Sequence, residues 1–270
     1  MIPVGFAYRR VDTFDEALSL LVEYGDDAKL LAGGHSLLPM MKLRLATPEV
    51  LIDVARVPEM SYVRVDGDEV AIGALIRHRD LESSSVAQTE APLLAHVASL
   101  VGDPQVRHRG TLGGTLAHGD PASDLPAAVL ALGGTIVAQC PAGRRQIAAT
   151  DFFAGFFETA LSPDEAIVEV RIPRSADVGW GYEKFTRRAN DWAVVGVAAV
   201  AGRVALVNMA GTPVRASATE EALASGASVA DAAQLADRDA APSADMHAEV
   251  DYRRHLARLL TRRALTTAGA

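Results

Sequence analysis

Apolar residues Phe14, Leu18, Leu21 and Val22 recur at helical spacing between Thr13 and Gly25. With Glu16 three residues after Thr13, the spacing predicts a capped amphipathic helix over Phe14–Tyr24. Lys29 to Ala32 reads as a short strand, Gly33-Gly34-His35-Ser36 as a turn, Leu37 to Leu45 as a helix, and Val50 to Val54 as a strand. Tyr62 to Val65 and Glu69 to Ala74 flank Asp66-Gly67-Asp68, which predicts a hairpin because Gly supplies the positive φ of such turns. A helix over Pro92 to Val101 is followed by Gly102 to Ser123, expected to be a long loop; loops of that length in compact domains commonly carry function.

After Pro126 the pattern predicts an alanine-rich helix, strands at Thr135–Gln139 and Gln146–Ala149 around Ala142-Gly143-Arg144, a helix from Thr150 or Asp151, and a strand over Ala166–Ile172. Pro173 to Gly181 lacks apolar periodicity and is expected to be a domain boundary. Strands at Tyr182–Thr186, Ala193–Val200 and Val204–Met209 are expected next, then helices starting at Thr219, Val229 and Asp251. The apolar run from Ala193 to Gly211 is broken by Gly202 and Arg203 and is rich in Val, which suits two strands better than a membrane helix. No transmembrane segment is expected. Met1 to Arg10 carries no secretory signature, so a cytoplasmic location is the default, association with the membrane's inner face coming only through partners.

Composition narrows the function classes. With 270 residues, 49% of them hydrophobic, the chain has material for one large core or two modest ones. A formal charge of −8 opposes nucleic-acid binding, and Arg107-His108-Arg109 is too small a basic patch to reverse that. The single cysteine, Cys140, rules out a disulfide framework, a thiolate zinc site or an iron-sulfur cluster in this chain, since clusters take about four thiolates. Cys140 is expected to be a buried strand residue.

Two glycine-rich segments carry the candidate chemistry. In the first, Gly33 and Gly34 follow a strand and open a helix, so backbone N–H groups can approach a phosphate. In the second, Gly110, Gly113, Gly114 and Gly119 stand among hydroxyl and acidic residues that include Thr111 and Thr115, so bare backbone can meet a diphosphate while Ser123 and Asp124 meet a ribose or ring edge. Two such segments favour a dinucleotide. Neither is a G-x-G-x-x-G or a P-loop fingerprint. A nucleophile elbow at Gly34-His35-Ser36 is disfavoured because Leu38 stands where the second Gly belongs. A metal site from His108, His118, Asp120 and Asp124 has no known ligand spacing.

Taken in order, Ala32-Gly33-Gly34-His35-Ser36 with the residues to Leu45, Asp103 to Gly114, Ala117-His118-Gly119-Asp120-Pro121, and Tyr182 to Arg188 with Asp191-Trp192-Ala193 resemble one family. It is that of the flavoprotein subunits of molybdenum hydroxylases, which includes xanthine, aldehyde and carbon monoxide dehydrogenases; the match is closest to the carbon monoxide branch. The resemblance implies an α+β fold. A two-lobed FAD-binding domain of the vanillyl-alcohol-oxidase-like type is expected over residues 1–175, its lobes meeting near 55–60. A C-terminal flavoprotein domain over 176–270 is expected to hold a three-stranded antiparallel sheet and helices. It also implies FAD held by Lys29, Leu30, Leu31, Ala32, Gly33, Gly34, His35, Ser36, Leu37, Gly110, Thr111, Gly113, Gly114, Thr115 and Ala117. Ser123 and Asp124 are expected on the adenosine side, Lys184 and Trp192 near the isoalloxazine, with no catalytic side chain and no metal. The partners implied are a small subunit with [2Fe-2S] clusters and a large subunit with the molybdopterin cofactor, in a dimer of heterotrimers that reduces an external acceptor, quinone or NAD. Thr115, Ser123 and Leu125 depart from the carbon monoxide pattern, and Ser123-Asp124 looks more like the xanthine or aldehyde branch. The alternatives are therefore the flavin subunit of a xanthine-, aldehyde- or N-heterocycle-oxidising hydroxylase, and a nucleotide-binding assembly subunit without redox role.

Overall fold

The computed structural model describes residues 2–270; Met1, which begins both the N-terminal apolar stretch and the expected first domain, lies outside them. The chain opens with β1 (Ala7–Arg10), α1 (Phe14–Tyr24), β2 (Ala28–Leu31), α2 (Leu37–Leu43) and β3 (Val50–Asp53). These strands form a parallel sheet in the order β1-β3-β2, β1 being an element that the apolar pattern had not indicated. Thr13 Oγ1 accepts the Glu16 N–H at 3.3 Å, while the Glu16 carboxylate reaches back to the Asp12 N–H at 3.2 Å, one residue before the cap. The helix then buries Phe14, Ala17, Leu18 and Leu21.

The middle of the chain runs through β4 (Val63–Asp66), β5 (Glu69–Gly73), α3 (His78–Ser83), α4 (Ser85–Glu90), α5 (Pro92–Ser99), α6 (Pro104–Arg109), α7 (Leu112–His118) and α8 (Asp124–Leu132). It continues with β6 (Thr135–Cys140), β7 (Gly143–Ala148), α9 (Ala149–Phe152), β8 (Phe153–Gly155), β9 (Glu158–Thr159) and β10 (Ala166–Pro173). An antiparallel sheet of order β4-β5-β10-β6-β7 forms its frame. Asp66 pairs with Glu69, so the hairpin loop is Gly67-Asp68, and Gly67 alone takes a positive φ, of 63°.

The expected long loop from Gly102 to Ser123 is corrected: most of it is helical. Asp103 Oδ1 accepts the Val106 N–H at 2.9 Å to start α6, and Thr111 Oγ1 accepts the Gly114 N–H at 3.2 Å to start α7. Side-chain caps and burial of Leu112 and Leu116 outweigh the poor helix propensity of the glycines. Cys140 is also corrected, being half-buried, because it ends β6 beside the hairpin turn at Gly143.

The C-terminal part contains β11 (Trp180–Phe185), β12 (Val195–Val200), β13 (Arg203–Val207), β14 (Val214–Arg215), α10 (Ser217–Ala224), α11 (Val229–Ala233) and α12 (Val250–Ala268). The three expected strands form an antiparallel sheet, and the two-residue β14 adds a fourth at its edge. This sheet is buried on both faces. Val195, Val197 and Ala199 join a core with Leu256, Leu260 and Ala264 of α12. Ala198 and Val200 join the larger core that contains Leu125 and Ala127 to Leu132 of α8. That two-sided burial explains the near-continuous apolar run of β12, where strict alternation would mark a half-exposed strand.

Closeness between β11 and α12 depends on a missing side chain. A Cβ on Gly181 would lie 2.9 Å from the Ala264 carbonyl carbon. Gly181→Val should therefore cost about 1–3 kcal/mol by forcing the helix outward. Equilibrium urea unfolding would read this; unchanged stability would show that the contact is dispensable.

Candidate functional site

A cleft of about 620 Å3 lies where β2, α2, α3, α6, α7 and the start of α8 converge, with Lys184, Asn190, Asp191 and Trp192 reaching it from the C-terminal part. Its volume falls in the roughly 300–1,000 Å3 range of small-molecule sites. The structure brings together there every residue expected to meet a cofactor: Lys29 through Leu37, Gly110, Thr111, Gly113, Gly114, Thr115, Ala117, Ser123, Asp124, Lys184 and Trp192.

The two glycine segments play different roles in the geometry. The N–H groups of Gly33, Gly34, His35 and Ser36 meet no protein acceptor among the described residues. In the second segment, by contrast, the Gly113 N–H donates to Ala74 O at 2.8 Å, Gly114 to Thr111 Oγ1, and Thr115 to Thr111 O at 3.0 Å. Free donors therefore line the first turn, and glycine in the second segment serves mainly to thin the wall. A Cβ on Gly33 would lie 2.8 Å from Gly110 Cα, and one on Gly113 would lie 2.7 Å from Ala74 Cβ. Gly34 takes φ +77°, and a Cβ on Gly114 would meet only Thr111 Oγ1. A row of unclaimed amides beside a cradle with no Cβ atoms suits a diphosphate.

Asp124 and Lys184 were expected at opposite ends of the cofactor. They touch. Lys184 Nζ donates to Asp124 Oδ2 at 2.7 Å, and Tyr182 Oη donates to Oδ1 at 2.6 Å, so the pair faces one part of the cleft. Sequence separation concealed this, because β11 folds back onto the first turn of α8. Burial pushes the Asp124 carboxyl up, and Lys184 and Tyr182 oppose that. Burial likewise holds the Tyr182 hydroxyl well above its ordinary value, leaving it a donor. Trp192 is exposed at the rim, and Ser123 is buried beside Asp124.

His78 is the polar residue that the motifs missed. It opens α3, is 2% exposed, and stands with Nε2 3.2 Å from Thr115 Oγ1. Its isolated position between Arg77 and Arg79 carries no spacing signal. Burial, aided by the neighbouring His35 and Arg107, lowers its pKa from 6.5 to about 4.

Comparison with known proteins follows the same lines. A family model described as the FAD binding domain in molybdopterin dehydrogenase matches residues 4–175, and one described as the CO dehydrogenase flavoprotein C-terminal domain matches 180–268. The carbon monoxide dehydrogenase medium chain of Hydrogenophaga pseudoflava is 44% identical over 285 aligned positions, covering 100% of this chain and 99% of that one. A solved structure of carbon monoxide dehydrogenase from Hydrogenophaga pseudoflava, lacking the Mo-pyranopterin moiety, superposes with a TM-score of 0.95 at 45% identity, covering 100% and 99%. Quinoline 2-oxidoreductase from Pseudomonas putida 86 superposes with 0.92 at 31% identity, covering 100% and 99%.

On acidification the unfolded chain protonates its imidazole near pH 6.5, before the folded chain does near 4. The stability contributed by neutral, buried His78 is thus complete above pH 6.5 and is lost as pH falls towards 4, by about 3 kcal/mol. Urea unfolding at several pH values should show that slope, and His78→Leu should flatten it; an equal slope in both proteins would count against the assignment.

Proposed function

This chain belongs to the family of flavoprotein subunits of molybdenum hydroxylases, and we propose that it is the FAD-carrying electron-transfer subunit of an aerobic carbon monoxide dehydrogenase. The observation that carries this reading is the cleft itself, with unclaimed amides at Gly33 to Ser36 facing the thin wall at Gly110 to Gly114. Its full-length similarity to a carbon monoxide dehydrogenase medium chain supports the choice of complex.

In this reading Gly33 to Ser36 and the Thr115 hydroxyl hold the diphosphate. Leu30, Leu31 and Leu37 supply apolar walls, and Ser123, the Asp124–Lys184 pair and Trp192 meet the remaining polar and ring surfaces. Bound FAD supplies exchange between one-electron and two-electron chemistry, while the protein contributes position, electrostatics and exclusion of water. Lys184, its charge balanced by Asp124, gives the cleft a fixed hydrogen-bond donor. No side chain needs to act as nucleophile, acid or base.

The chain divides at 175/176 into an FAD-binding domain, with lobes meeting near 55–60, and a C-terminal domain. It is an oxidoreductase subunit within a multi-subunit complex. The electron donor is a small subunit with [2Fe-2S] clusters, fed by a large subunit with the molybdopterin cofactor, in a cytoplasmic dimer of heterotrimers that reduces quinone or NAD. Among the described residues no helix is long and apolar enough to cross a membrane.

One FAD per chain should be released by acid precipitation, as measured by flavin absorbance in the supernatant; flavin left in the pellet would indicate a covalent link instead. Gly114→Val should lose FAD while remaining folded, since its Cβ would meet only the Thr111 hydroxyl and no backbone. Gly33→Val and Gly113→Val should lose the fold as well, from backbone overlap with Gly110 and Ala74. Circular dichroism beside flavin content separates these cases, and retention of FAD by Gly114→Val would refute the cradle. Under anaerobic carbon monoxide the isolated yellow chain should keep its absorbance and bleach only after both partner subunits are added. Bleaching of the chain alone would overturn its place as a relay.

A further inference from the structure

His78 is tied to the second glycine segment at three points. Its N–H donates to Gly110 O at 3.0 Å, Arg77 and Thr111 form an antiparallel bridge, and Nε2 lies 3.2 Å from Thr115 Oγ1. The ring packs so closely on Gly110 that a Cβ there would lie 2.7 Å from Cδ2. On the other side of the ring, Nδ1 is buried with no partner among the described residues.

A neutral imidazole has one N–H and one lone pair, and the hydrogen bond made by one nitrogen sets the tautomer. Were Nδ1 to carry the proton, a buried N–H would be left without an acceptor, an arrangement that folded proteins rarely tolerate. Nε2 would then accept from Thr115, turning the hydroxyl hydrogen away from the cleft and lone pairs towards any anion in it. With the proton on Nε2 the orphan is only a lone pair. Nε2–H then donates to Thr115 Oγ1, and the hydroxyl hydrogen is free to point into the cleft.

We infer that His78 is a positioning residue for the cofactor: as its Nε2–H tautomer it orients the Thr115 hydroxyl to donate to a diphosphate oxygen of FAD. This rests on the reading that the cleft holds FAD. The donor matters because the Gly113, Gly114 and Thr115 amides are already engaged, leaving that side of the cleft few N–H groups for an anion.

The full chain, stripped of flavin and titrated with FAD by fluorescence, tests the inference. His78→Leu and Thr115→Val should each bind about tenfold more weakly, the loss expected for one hydrogen bond to a charged group. The double variant should be no weaker than Thr115→Val alone. His78→Gln, whose side-chain amide can present an N–H near the Nε2 position, should bind within about twofold of the parent chain. Nitrogen NMR of the histidine-labelled, flavin-free chain should show Nε2 protonated and Nδ1 bare at neutral pH. Equal losses in the Leu and Gln variants would mean that the ring only fills space, and would overturn the inference. Additive losses in the double variant, or a proton on Nδ1, would do the same. A parent chain that takes up no FAD would overturn the cofactor reading itself, whereas a parent that binds it while His78→Leu binds equally well would overturn only the role of His78.

Discussion

Asp124 is the point on which the architecture turns. Its carboxylate is 5% exposed in the first turn of α8, where an unpaired charge would carry a large desolvation cost. Lys184 and Tyr182, both on β11, bring the compensating charge and hydroxyl. A helix from the middle of the chain is thereby held to a strand of the C-terminal sheet, and the cleft acquires its third wall. The apolar faces of β12 and β13 press on α8 over the same boundary, so packing and electrostatics agree on one relative placement.

Close backbone approach is the second constraint. Gly33 lies against Gly110, Gly110 against the His78 ring, and Gly113 against Ala74, forming a chain of contacts in which any side chain would intrude. These glycines let the segments after β2, after β5 and around α7 pack against one another as much as they leave room for a ligand. Among the described residues the turn amides from Gly33 to Ser36 line the cleft unclaimed, whereas the Gly114 N–H is held by Thr111 Oγ1. The same closeness buries His78 and keeps it neutral, which makes its tautomer a structural variable.

A relay subunit has modest chemical needs, and this chain fits them. It requires a cofactor site in which buried charge is paired, as Asp124 is with Lys184 and Tyr182. A single cysteine cannot build an iron-sulfur cluster within this chain. Carbon monoxide dehydrogenase from Hydrogenophaga pseudoflava and quinoline 2-oxidoreductase from Pseudomonas putida 86 both contain a chain of this fold.

Local signals were legible in the sequence wherever one short stretch contained its own cause. The Thr13 cap, the helix it starts, the Gly67 hairpin and the paired glycines after β2 each depend on residues within a few positions. The family motifs pointed to the cofactor and to the segments that line the cleft for the same reason, since the cleft-lining backbone runs in unbroken pieces. Other features answer to contacts across the chain, which spacing cannot express. The stretch from Gly102 to Ser123 becomes helical because Leu112 and Leu116 find a core, despite glycines that locally argue for a loop. Lys184 meets Asp124 across 60 positions, and His78 gains its meaning only where Thr115 and Gly110 fold against it. The sequence alone determined which segments could approach an anion closely. Only the tertiary structure decided which of their hydrogen-bond donors remain free, because that depends on what every neighbouring segment has already claimed.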